Sequence, residues 1–144
     1  RSSITLTTDC LLADIKDPLA FNLLILPGGP AVFELRKQNE ILNLIRKFAE
    51  AGKAIGAICA APLLLMDAGI LSNKHACTAH GSTVNEIPHI SENQSVVKEG
   101  QLITSRGAGT AVDFSLALIE HLFDSEKKDE VRASIHADLP AFLD

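Results

Sequence analysis

Cysteine is scarce in this chain: Cys10, Cys59 and Cys77 are the three in 144 residues. None belongs to a C-x-x-C pair, and three thiols cannot build a complete disulfide framework, which points to a reducing, cytoplasmic setting. Long apolar runs are lacking too. Stretches such as Leu23 to Leu26 and Leu63 to Met66 fall far short of the roughly 20 residues that cross a bilayer, so a soluble chain with no membrane partner is expected. Positive charge is in deficit, with 13 Lys and Arg against 18 Asp and Glu and a net charge of -5. Proteins that grip phosphate backbones carry clustered Lys and Arg, so nucleic acid is not an expected partner. The five histidines, His75, His80, His89, His121 and His136, form neither H-E-x-x-H nor a zinc-spaced Cys/His set, and no metal is expected.

What is present is apolar residue in quantity. A hydrophobic content of 47% suits one core, and the length suits one domain over residues 1–144. Asn22 to Leu26 is continuously apolar after its first residue and stops at Pro27-Gly28-Gly29, the pattern of a buried strand entering a tight loop. Leu35, Leu42, Ile45, Phe48 and Ala49 then recur at helical spacing until Gly52. Lys53 to Ile58 reads as a second buried strand, Cys59 follows it, and Ala61 to Ala68 reads as a short helix closed by Gly69. Farther on, His75 to Ala79 suggests a strand, Gln94 to Lys98 and Gln101 to Thr104 a hairpin about Glu99-Gly100, and Thr110 the N-cap of a helix ending near Phe123. Ser125 to Leu139 reads as a charged amphipathic helix. Strands alternating with helices predict an α/β fold, with a mainly parallel sheet and helices on both faces.

Ligands of such sheets collect at the carboxyl ends of the strands. Three loops fall there: Pro27-Gly28-Gly29-Pro30, Cys59-Ala60-Ala61-Pro62 and Arg106-Gly107-Ala108-Gly109-Thr110. A turn from strand to helix that presents a nucleophile is tight and needs small neighbours two residues to either side, and Ala57 and Ala61 give A-x-C-x-A around Cys59. A thiol there stands clear at a helix start, where free N–H groups favour the thiolate. The Ala60 N–H would face an oxyanion formed by attack, and the Gly28-Gly29 loop would add a second donor. The competing reading is core filler, because free cysteine is among the most buried residue types. Cys10 and Cys77 lack an elbow and are read as structural. His80 ends a strand candidate and can serve the same edge as a proton carrier, against the plainer role of bonding a loop carbonyl. Gly107-Ala108-Gly109 fails G-x-G-x-x-G because Val112 fills the last position, so that loop is expected only to set the start of its helix.

Leu26-Pro27-Gly28-Gly29, Ala57 to Pro62 and Leu102 to Thr110, in that order, together resemble the DJ-1/PfpI superfamily in its DJ-1/YajL (ThiJ-like) branch. The likeness runs from about Arg1 to about Phe123. It implies a flavodoxin-like three-layer sandwich, usually a homodimer, needing no cofactor. It further implies that Cys59 is the reactive elbow cysteine, His80 its neighbouring histidine, and Gly29 and Ala60 the amides that hold an oxyanion or an oxidised sulfur. The protease-like branch has His directly after the elbow cysteine, where this chain has Ala60, and glutamine amidotransferases have Gly there and Gln two residues further. Both are disfavoured.

The family also pairs its elbow cysteine with an acidic residue from a first strand-helix unit. The chain opens at Arg1 rather than Met and runs at once into a strand-like Ile4-Thr5-Leu6-Thr7. It is expected to begin about two strands and a helix late, so that a separate N-terminal fragment is a conceivable partner and targeting is not legible. Glu34 and Glu86 are the acids nearest the motif loops, and nothing matches either to the family's role. The functional expectation is a glyoxalase or protein deglycase acting on methylglyoxal or early glycation adducts. Its alternative is an oxidative-stress sensor or chaperone whose Cys59 becomes a sulfinate, and an inactive homologue or fragment is the third.

Overall fold

A computed structural model describes residues 4–138. Four strands form one sheet: β1 (Leu23–Leu26), β2 (Ala54–Ile58), β3 (Val96–Glu99) and β4 (Leu102–Ser105), in the order β1-β2-β4-β3. β1, β2 and β4 run parallel, with Ile25 opposite Gly56 and Gly56 opposite Ile103, while β3 is antiparallel to β4. The β3–β4 hairpin turns at Gly100, whose φ of 59° suits a residue without Cβ.

Alternate residues of each strand face opposite sides, and each side has its own core. Ile55 and Ala57 of β2 pack with Leu26 against α2 (Asn39–Glu50) and α3 (Pro62–Asp67), where Ile45, Phe48, Leu63, Leu64 and Leu65 are buried. On the other side Ala54 and Ile103 meet Phe114 and Leu118 of α4 (Ala111–Leu122). Gly56 lies beneath the same helix: a Cβ there would stand 2.9 Å from both Phe114 Cζ and Leu118 Cδ2. α5 (Ser125–Ser134) packs chiefly on α4. The expected α/β architecture with a mostly parallel sheet and helices on both faces is the one observed.

Several local expectations are corrected. β1 is an edge strand and not a deeply buried one: only β2 pairs with it among the described residues, and Ile25 is 49% exposed because α4 covers β2 and β4 instead. Ile4 to Thr7 is exposed and is not a strand. The amphipathic run from Leu35 breaks into α1 (Val32–Leu35) and α2, because Gln38 is extended at φ −99°, ψ 106°. His75 to Ala79 is not a strand. The Thr78 N–H donates to the Thr104 hydroxyl at 2.9 Å instead of to a backbone carbonyl, and a ladder needs main-chain partners. Thr110 does precede α4, but its hydroxyl turns back to donate to the Gly107 carbonyl at 2.9 Å and caps no helix N–H. α5 ends at Ser134, and Leu139 lies outside the described residues, as does Arg1.

Candidate active site

Cys59 directly follows β2 and has a φ of 67°, a left-handed conformation that few non-glycine residues adopt. Two backbone bonds hold it there: its N–H donates to the Ser105 carbonyl at 2.9 Å, and its carbonyl accepts from the His80 N–H at 2.9 Å. Unusual φ persists where surroundings over-determine it, and here β4 and the 76–80 segment clamp the elbow from both ends. Gly28 supplies the third constraint. A Cβ on it would stand 2.4 Å from Cys59 Cβ and 2.7 Å from the Ile58 carbonyl oxygen, so the first loop lies flush against the elbow only because that side chain is missing. Gly29 has a φ of 112°, a conformation glycine alone takes readily.

The half-buried Cys59 opens into a cleft of about 510 Å³ at the carboxyl end of the parallel strands. Gly28, Gly29, Pro30 and Phe33 form one wall, Ile58 and Ala60 the floor beside the thiol, His80 and Ser82 a second wall, and Ala108 and Ala111 a third. All five residues singled out in the sequence, Gly28, Gly29, Cys59, Ala60 and His80, therefore border one space. The N–H groups of Gly29 and Ala60 make no hydrogen bond to a protein acceptor among the described residues. The arrangement thus offers two unengaged amide donors beside a thiol, as acyl and carbonyl chemistry requires.

His80 is exposed, and no hydrogen bond joins its ring to Cys59 among the described residues. Ser82 orients it instead: the Ser82 N–H donates to Nδ1 at 3.2 Å, and Ser82 Oγ lies 2.8 Å from the same nitrogen. With Nδ1 the acceptor in this network, the neutral ring carries its proton on Nε2 and can donate from there. Ser82 was not singled out from the sequence, although serine beside Gly81 is a common turn residue. Phe33, 48% exposed at the cleft mouth, gave no signal of its own.

The other thiols stand apart. Cys77 is buried, 3.6 Å from His89 Nε2, and burial pushes its thiol above the ordinary cysteine range. Cys10 is exposed and fills no core, which corrects its reading as structural. Neither acid near the motif loops borders the cleft. Glu34 pairs with Lys37 at 3.0 Å, and Glu86 pairs with Arg36 at 2.6 Å.

A model of the DJ-1/PfpI family matches residues 2–121. The chain belongs to the DJ-1/PfpI family. It is 37% identical to Protein DJ-1 homolog A of Arabidopsis thaliana over 133 residues, 89% of this chain and 33% of that protein. It is 33% identical to the glutathione-independent glyoxalase DJR-1.2 of Caenorhabditis elegans over 126 residues, 85% of this chain and 66% of that one. The crystal structure of Drosophila melanogaster DJ-1beta superposes with a TM-score of 0.75 at 34% identity, covering 80% of this chain and 63% of that one. The chain thus spans a third of the plant relative and under two thirds of the fly structure. Within the DJ-1/PfpI family its elbow cysteine is followed by Ala60, and the cleft polar groups are Cys59, His80 and Ser82.

Proposed function

We propose that the full-length protein is a cofactor-independent glyoxalase that also acts as a deglycase on early glycation adducts, with Cys59 as nucleophile. One observation carries the reading: Cys59 is held at a φ of 67° by bonds to both its backbone groups and borders a cleft that a small carbonyl compound can enter. The C. elegans relative named a glutathione-independent glyoxalase supports the same class of reaction.

The Cys59 thiolate adds to the aldehyde carbon of methylglyoxal, forming a hemithioacetal. The developing alkoxide takes hydrogen bonds from the free Gly29 and Ala60 amides. The proton on that carbon is removed and returned to the neighbouring carbon through an enediol, leaving a thioester of a 2-hydroxy acid. His80 Nε2–H protonates the ketone oxygen as the enediol forms and takes a proton back from the hemithioacetal hydroxyl as the thioester carbonyl forms. The family resemblance implies a carboxylate base for the carbon-bound proton, and none borders this cleft among the described residues. Water then cleaves the thioester, releasing lactate and the thiol. With a glycated amine or thiol, the same sequence frees the amine or thiol when the adduct collapses. A homodimer belongs to this proposal, as does a cytoplasmic setting.

Lactate production from methylglyoxal by the reduced full-length protein, beside a Cys59→Ala variant, tests it. Turnover that vanishes in the variant is expected. If the parent makes no lactate above the variant, the glyoxalase reading falls. Peroxide oxidation then becomes the question: Cys59 in the cleft and the exposed Cys10 are accessible whereas Cys77 is buried, and a sensor requires oxidation selective for Cys59 over Cys10.

A further inference from the structure

Arg36 joins three segments that carry the candidate site. Its guanidinium donates to both oxygens of Asp67, through Nε at 2.5 Å and Nη2 at 3.0 Å. It also donates to both oxygens of Glu86, through Nη1 at 2.9 Å and Nη2 at 2.6 Å. Each of the three residues ends a short hydrogen-bonded run that begins at a cleft loop. From the Gly29 carbonyl the chain is stitched through Val32 to Arg36, with N–H···O bonds of 3.1 and 3.0 Å. From Cys59 the elbow leads into α3, whose last residue is Asp67. From the His80 carbonyl, bonds to Thr83 and from Thr83 to Glu86, each 2.9 Å, complete the third run.

We propose that Arg36 is a positioning residue for the site, fixing the Gly29, Cys59 and His80 loops relative to one another by binding the Asp67 and Glu86 carboxylates with a single guanidinium. The proposal rests on the reading of Cys59 as the reactive group. A planar fork grips two carboxylates bidentately, whereas an ammonium supplies the charge to both without that fixed geometry, so lysine is a lesser substitute. Arg46 does not duplicate the role. Its Nε and Nη2 hold the carbonyls of Ala68 and Asp67 at 3.0 and 3.4 Å, which docks α3 on α2 but reaches neither the first loop nor the His80 segment. Without Arg36, two carboxylates face each other with no counter-charge, and α3 and the 80–86 turn are pushed apart.

The test uses the full-length protein and four variants: Arg36→Met, Arg36→Lys, Asp67→Asn and Glu86→Gln. Amide spectra and the rate of Cys59 modification by 2,2′-dithiodipyridine are read below each protein's unfolding temperature, all in a Cys10→Ser background because Cys10 is exposed. Arg36→Met is expected to shift the Gly29, Ala60 and His80 amides together and to slow Cys59 modification on the order of tenfold, since a misplacement near 1 Å is felt strongly at a reacting atom. Arg36→Lys restores much of the rate, because a point charge still reaches the carboxylates. Asp67→Asn is expected to move mainly Ala60, and Glu86→Gln mainly His80. A folded Arg36→Met with those three amides and the thiol rate unchanged overturns the proposal, as does a failure of Lys to restore anything. If Arg36→Met does not fold, the single-arm variants decide, and unchanged Ala60 and His80 amides in them overturn it. Failure of the parent to make lactate would sink the catalytic reading, while the amide shifts and thiol rates would still decide for or against the role of Arg36.

Discussion

Adding one methyl group at Gly28 should damage the elbow more than any other small change near the cleft. A Cβ built there meets Cys59 Cβ at 2.4 Å, the Ile58 carbonyl oxygen at 2.7 Å and the Ala60 nitrogen at 3.2 Å. All three neighbours are backbone or Cβ atoms, so no side-chain rotation can relieve the clash. The first loop or the elbow must move, and overpacking of this kind costs about 1–3 kcal/mol. For a chain of this length that lowers the melting temperature by about 2–4 °C per kcal/mol. Because the displaced atoms carry Cys59, the rate of its reaction with 2,2′-dithiodipyridine, read in a Cys10→Ser background because Cys10 is exposed, should change along with stability. Gly56→Ala is the instructive contrast. Its Cβ also meets atoms at 2.9 Å, but these are the far ends of the Phe114 and Leu118 side chains, which can yield. That variant should lose less stability and keep the Cys59 rate. Urea unfolding and thiol kinetics on both proteins decide. A Gly28→Ala protein as stable and as reactive as the parent would refute the claim that the missing side chain lets the loop lie on the elbow.

Two further predictions concern Cys59 and His121. Left-handed φ costs a non-glycine residue about 1–2 kcal/mol, partly offset in glycine by its greater unfolded-state freedom, so Cys59→Gly should be more stable than Cys59→Ala by about 1 kcal/mol in urea unfolding. An alanine variant equal to or more stable than the glycine one would contradict the strain at φ 67°. Burial, and then the charge of Lys98, hold His121 below the ordinary histidine range, so the folded state favours the neutral ring. Its contribution is full above about pH 6.5, the unfolded value, and is lost as pH falls through the depressed folded value, because the unfolded chain takes the proton first. The stability advantage of the parent over His121→Gln should therefore shrink between pH 7.5 and 5.5, and parallel pH profiles would count against it.

The elbow was legible because its determinants are local. An apolar strand, small residues two positions either side of Cys59 and a following Pro62 define a strand-turn-helix without reference to distant chain, and the structure has that turn, with Cys59 at φ 67°. The same holds for the hairpin at Gly100 and for the position of Thr110 before α4. What the hydroxyl of Thr110 does was not legible, because Gly107 and Ser105 compete for it and win.

Sequence alone thus determined the order of strands and helices and the residue types available at the sheet's carboxyl edge, since periodicity and turn chemistry act over a few residues. Tertiary structure alone decided the rest: that β1 lies at an edge with Ile25 exposed, that Thr104 takes the bond a strand at 75–79 would have needed, and that Arg36 reaches Asp67 and Glu86 across 31 and 50 residues of chain. Each depends on a pairing between segments far apart in sequence. Such pairings are chosen by the global packing of the sheet and its helices, and no local pattern encodes them.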